Sequence, residues 1–183
     1  MSGYRLSACR LVGLRDSAVG LGLGCALAGS LHAQAPVAGT FYIGTYDKKI
    51  LVMDEATMRV TDSIAIASGI PIGMQLSYDR KHFYVSEPRF QTVEIIDIPT
   101  RKSIGSFTLS TADKQVRISG MNVDPTERFA VMVIKTTTKK PDRFEIGPPR
   151  LVKFDLATRK VTDTIPWPRG EERDFAQILF SPN

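Results

Sequence analysis

Asp54-Glu55-Ala56-Thr57-Met58-Arg59, Asp97-Ile98-Pro99-Thr100-Arg101-Lys102 and Asp155-Leu156-Ala157-Thr158-Arg159-Lys160 are three copies of one hexamer. Each follows an apolar run, Ile50 to Met53, Val93 to Ile96 or Leu151 to Phe154, and leads into an alternating one such as Val60-Thr61-Asp62-Ser63-Ile64. The reading is strand, tight turn, strand. Asp54, Thr57, Asp97, Thr100, Asp155 and Thr158 supply side-chain oxygens that can satisfy turn amides, and Pro99 presets the bend.

A second hairpin lies upstream of two of these turns. Ile72 to Val85 and Ser119 to Val131 share a Gly-Met pair, a polar turn at Tyr78 to Lys81 or Pro125 to Arg128, and a following apolar strand. The unit is therefore four strands, A to D, with an A–B turn and a C–D turn. Successive hexamer aspartates stand 43 and 58 residues apart, and the longer interval coincides with an inserted loop over about Lys135 to Pro149. Internal repetition of this length, made of short strands, predicts an all-β protein: a β-propeller of four-stranded antiparallel blades, about three of them present. Runs such as Val131-Met132-Val133-Ile134 fit a sheet covered on both faces. A β-sandwich or loose solenoid is the alternative, but neither requires one turn hexamer at each repeat.

Phe83-Tyr84-Val85-Ser86, followed by Val93-Glu94-Ile95-Ile96-Asp97 and Thr100-Arg101-Lys102, resembles the YVTN-type β-propeller repeat. Phe41-Tyr42-Ile43-Gly44 and Phe129-Ala130-Val131-Met132 match its tetrapeptide less closely. The resemblance covers the chain from about Thr40 onward. It implies a periplasmic or secreted propeller of the kind that includes a subunit of quinohemoprotein amine dehydrogenases and lactonase-like proteins. Such a fold hosts several activities, so it specifies none by itself.

Residues 1–35 read as a secretory signal: Arg5, Arg10 and Arg15, then an apolar stretch from Ser17 to Leu31, then Ala33-Gln34-Ala35. The apolar run, about 14 residues, falls short of the roughly 20 that span a bilayer, so no stable membrane insertion is expected. The whole chain is 43% hydrophobic with a net charge of +5, but removing the leader lowers the excess to +3, which removes the case for a nucleic-acid partner. Both cysteines, Cys9 and Cys25, go with the leader, leaving no thiolate for a zinc or iron–sulfur site. His82 becomes the one remaining histidine.

Residues 36–183 form the expected propeller part, with units at about 40–66 (strands B to D), 72–108, 118–165 and the start of another at 174–183 whose A strand covers Phe175 to Phe180. Roughly three blades fall short of the usual four to eight, so open blade edges and self-association through them are expected. A piece of a larger ring is the favoured explanation, and two chains joined head to tail the alternative. Alternating strand direction puts the B–C and D–A connections on one face and the A–B and C–D turns on the other.

The candidate ligand-binding residues are therefore Tyr46, Asp47, Glu87, Arg89 and Lys135, in or beside the B–C loops. His82 reads as a solvated turn residue, Lys139, Lys140, Arg143 and Arg150 as a basic insertion, and Trp167 as cover for a blade edge. No phosphate loop, nucleophile elbow or zincin motif is present, and no catalytic residue, metal ligand or cofactor is assigned. The function expected is an extracytoplasmic binding or scaffold module for a protein or small-molecule ligand; the alternative is a periplasmic redox-enzyme subunit or lactonase-like hydrolase. Export is directly testable. N-terminal sequencing of protein recovered from the periplasm or medium is expected to begin at Pro36, and intact Met1 on cytoplasmic material would overturn the leader reading.

Overall fold

The computed structural model describes residues 39–170 and 172–181, so the expected leader and its cleavage point lie outside the described residues. Among the described residues, twelve strands form three antiparallel sheets. The first holds β1 (Thr40–Thr45), β2 (Lys49–Asp54) and β3 (Arg59–Ala65). The second holds β4 (Gly73–Leu76), β5 (His82–Ser86), β6 (Thr92–Asp97) and β7 (Lys102–Thr108) in sequence order. The third is built on β8 (Lys114–Val123), β9 (Phe129–Lys139), β11 (Arg150–Asp155) and β12 (Lys160–Ile165), with β10 (Phe144–Ile146) added beside β9. The fold is a partial β-propeller whose sheets, among the described residues, do not close a ring.

The repeated hexamer is one conformation used three times. Asp54 Oδ1 accepts hydrogen bonds from Thr57 N and Thr57 Oγ1, at 2.8 and 2.7 Å. Asp97 and Asp155 do the same for Thr100 and Thr158. The next residue is left-handed in each copy: Met58, Arg101 and Arg159 have φ of 54°, 57° and 56°. The satisfied turn amides offset what such a backbone costs a non-glycine residue. The ladder then slips in all three sheets, leaving Thr61, Ile104 and Thr162 as bulges that increase the local twist.

Alternation along the second sheet sends side chains both ways. Phe83, Val85 and Ile96 bury themselves with Ile50, Val52, Ile64 and Ile66 of the first sheet, where Tyr42 meets Phe83 edge-on at 4.9 Å. Tyr84, Val93 and Phe107 face the third sheet, with Phe107 stacked on Phe154 at 4.7 Å. Full burial of each large apolar side chain is worth about 1.5–3 kcal/mol, so these two seams supply the main cohesion.

Polar links cross the same seams. The buried Glu94 accepts from Ser68 N at 2.7 Å and Ala67 N at 3.2 Å, fixing the connection between the first two sheets. Burial opposes its ionisation, but those amides and neighbouring hydroxyls prevail and hold the carboxyl below its ordinary value. Arg101 pairs with Asp62 on β3, and Arg159 donates to Ser106 O on β7 at 2.9 Å. The hexamer arginine thus reaches back to the outer strand of the preceding sheet.

Two expectations change. The stretch from Lys135 to Pro149 is not a plain loop: Lys135–Lys139 continues β9 past the end of β11, pairing with β8 on one side and, over Thr137–Lys139, with β10 on the other. Threonine-rich Thr136-Thr137-Thr138 has the β-branched composition that extends a strand. Residues 175–180 form no strand, because no described residue offers them a backbone ladder. Side chains hold the segment instead: Ser119 Oγ donates to Asp174 O, Asn122 Nδ2 to Ile178 O at 2.7 Å and Tyr78 OH to Phe180 O at 2.8 Å. Gly120 permits this approach, since a Cβ there would lie 2.5 Å from Ala176 O.

The turn aspartates set an acid limit. Hydrogen bonds from Thr57 and Thr100 hydroxyls, and from the Thr158 amide, hold Asp54, Asp97 and Asp155 below the ordinary carboxylate range. Their unfolded counterparts take up protons first as pH falls below about 4, so the stabilisation is complete above that value and lost toward the lower folded values. Thermal melts followed by circular dichroism are expected to show a falling Tm below about pH 4, with a shallower fall in the Asp54→Asn/Asp97→Asn/Asp155→Asn variant. Identical slopes would remove these turns as the cause.

Candidate functional site

Two polar clusters stand on opposite faces. On the turn face, the A–B turns of the second and third sheets meet. Glu127, left-handed at φ 55°, directs its carboxylate to His82 Nδ1 at 2.9 Å and accepts from Tyr84 OH at 2.6 Å. His82 Nε2 lies 3.8 Å from Asp97 Oδ1, so the imidazole sits between carboxylates of neighbouring sheets. Asp79 completes a group in which one ligating atom each from Asp79, His82 and Glu127 falls within 4.8 Å of the others.

His82 is thus a half-buried bridging residue rather than a solvated turn residue. Its partner comes from 45 residues downstream, which no local pattern reveals. A His/Asp/Glu set has donors suited to a divalent cation, but these donors are already engaged: Asp79 accepts from Ser77 Oγ at 2.7 Å and Lys81 N at 3.0 Å. Burial first, and then the Glu127 hydrogen bond, push the Tyr84 phenol far above its ordinary value, which favours the protonated donor form. The cluster acts as a clamp between sheets.

The opposite face carries a recess of about 280 Å³ lined by Phe90, Arg117, Ser119, Lys135, Asp174 and Phe175. Phe90 belongs to the β5–β6 loop, Arg117 to the start of β8 and Lys135 to the extension of β9. The Arg117 guanidinium stands 5.0 Å over the Phe90 ring, and Lys135 Nζ pairs with Asp174 Oδ1 at 2.7 Å. Cross-strand register places Arg117 directly opposite Lys135. Two cations, a hydroxyl and two aromatic rings therefore converge there.

Of the sequence-selected residues, Lys135 alone lines this recess. Glu87 is buried and turned into its own loop, accepting from Arg89 N at 2.7 Å, Gln91 N at 2.8 Å and Thr92 N at 3.3 Å. It positions Phe90, whose φ is 56° and whose carbonyl accepts from Ile118 N at 2.7 Å. Arg89 is exposed beside it. Tyr46 is 87% exposed in the β1–β2 turn, and Asp47 pairs with Lys49 at 2.9 Å, both on the first sheet and outside the recess lining. Trp167 donates from Nε1 to Pro149 O, just before β11, at 3.0 Å. Sequence reading missed Phe90 and Arg117; the signal available was an aromatic and a basic residue on adjacent connections of the loop face.

The clamp yields a test. Glu127→Ala leaves the buried Tyr84 hydroxyl without its acceptor, which costs about 1–3 kcal/mol. Chemical denaturation is expected to show that loss, and a smaller one for Glu127→Gln, which keeps an acceptor oxygen. Equal stability of all three proteins would show that the clamp is incidental.

No protein-family model matches the chain, and no curated protein sequence does. Among solved structures, it is similar to hydrazine synthase of Kuenenia stuttgartiensis, with TM-score 0.39, 15% identity, and coverage of 64% of this chain and 42% of that one. It is also similar to the Swd1 (Cps50) β-propeller domain of Myceliophteria thermophila, with TM-score 0.46, 12% identity, and coverage of 67% and 48%. A third is the dihydro-heme d1 dehydrogenase NirN in complex with DHE, with TM-score 0.44, 16% identity, and coverage of 69% and 24%. The chain spans less than half the length of each of these solved chains.

Proposed function

We propose that the chain is an extracytoplasmic binding module of the YVTN-type propeller kind, and that its loop face takes up a small anionic ligand with an apolar or aromatic body. The convergence of Arg117 and Lys135 between Phe90 and Phe175 carries this reading. A planar anion suits Arg117, whose fork donates two parallel hydrogen bonds, while the rings cover the ligand's apolar part. Asp174 pairs with Lys135 at 2.7 Å, and a ligand carboxylate exchanges for it at that ammonium. The secretory leader and the tetrapeptide Phe83-Tyr84-Val85-Ser86 support the compartment and the repeat type.

Ligand-observed NMR on the full chain tests the reading, with benzoate and cyclohexanecarboxylate as probes and butylamine as the cationic control. Saturation transfer is expected to both carboxylates and not to the amine. Arg117→Ala and Lys135→Ala each remove a charge-assisted hydrogen bond, so each is expected to weaken binding about tenfold or more while leaving Tm unchanged. Transfer that survives both substitutions, or that favours the amine, would place the ligand elsewhere.

A further inference from the structure

The extension of β9 makes an arm that projects past the blade and whose two sides differ. Phe144 and Ile146 of β10 are 68% and 65% exposed, an unusual investment of large apolar side chains at a hairpin tip. They alternate with Glu145 and so share one side of the arm. Register puts Lys139 opposite Phe144, and Thr137 opposite Ile146. The side therefore presents two hydrophobic anchors next to an exposed lysine, and the same side continues through Lys135 toward Arg117.

Charge around the tip has one sign in excess. The tip carries Lys139, Lys140 and Arg143 against Asp142 and Glu145, while Lys135 pairs with Asp174 and Arg150 donates to Thr164 Oγ1 at 2.6 Å. The two carboxylates pair with Arg143 at 3.0 Å and Lys140 at 3.5 Å, both at the exposed turn, where such pairs are weak and readily exchanged. Among the described residues, Phe144 and Ile146 belong to neither buried core cluster.

We propose that this arm docks on the surface of an anionic lipid bilayer, with Phe144 and Ile146 at the boundary between headgroups and acyl chains and Lys139, Lys140 and Arg143 at the phosphates. Apolar side chains beside cations are what an interface with both an oily layer and a negative surface selects, whereas an acidic protein or polymer would use the cations alone. The contact is peripheral: two side chains enter the interface while the backbone of β9 and β10 keeps its own ladder. It is separate from ligand uptake in the recess, because neither anchor lines that recess.

The full chain with Phe144→Trp, compared with the parent whose one tryptophan is Trp167, reports on the tip itself. On phosphatidylglycerol vesicles the introduced indole is expected to shift to the blue and to be quenched by brominated acyl chains. The signal is expected to be absent on phosphatidylcholine vesicles and to vanish in roughly 1 M salt, where screening acts within about 3 Å. Each of Lys139→Gln, Lys140→Gln and Arg143→Gln is expected to reduce partitioning roughly fivefold. Unchanged emission on phosphatidylglycerol, equal quenching on both lipids, or a shift with polyglutamate but not with vesicles would each overturn the proposal. Because the indole is read at residue 144, partitioning through the N-terminal apolar stretch does not imitate the result.

Discussion

A carboxylate that accepts the amide and hydroxyl of a threonine three residues on is the contact from which this structure is built. It makes the left-handed residue after the threonine tolerable, which aims that side chain away from its own hairpin. At Arg101 and Arg159 the side chain thereby reaches the outer strand of the sheet before it. A single turn thus closes a hairpin, sets a bulge two or three residues later and ties one sheet to its predecessor. Met58 occupies the same place in the first sheet, where no described sheet precedes it, and there the side chain stands 64% exposed.

That logic explains which parts of the molecule a reader of the sequence sees. The Asp-x-x-Thr turns act over three residues and recur, so both the strand pairs and the all-β propeller class are legible from them. Alternation in Phe83-Tyr84-Val85 and consecutive apolar residues in Val131 to Ile134 likewise announce a sheet covered on two faces. Local pattern gives no access to pairs assembled from different sheets. Glu127 lies 45 residues from His82, and Arg101 lies 39 from Asp62. Glu87 illustrates the converse difficulty: an acidic residue in a loop has the look of a ligand contact, yet its oxygens are consumed by three amides of its own loop. The extension of β9 was hidden because the β-branched run Thr136 to Thr138 is polar and the partners that make it a strand, in β8 and β10, are supplied only by the fold.

The two faces differ in how their polar atoms are used. On the turn face Asp54, Asp79, Asp97, Asp124, Glu127 and Asp155 are bound inward, to turn amides, hydroxyls or the His82 imidazole. The loop face presents side chains to solvent: Phe175 is 70% exposed and the Arg117 guanidinium stands over the Phe90 ring. Exchangeable contacts such as Lys135 with Asp174 belong on the second face, because a group already committed to the fold cannot be lent to a ligand without loss of stability.

Each sheet is a meander whose paired strands follow one another along the chain, apart from the short β10 that β9 passes on its way to β11. Loop closure within a sheet is therefore brief, and hairpins of this kind form in about 1–10 μs. The tie from Tyr78 to Phe180 spans 102 residues and has no ladder to guide it. The time course of folding should consequently divide, with individual sheets assembling fast and locally, and the segment along β8 settling last, after the sheets that receive it have docked.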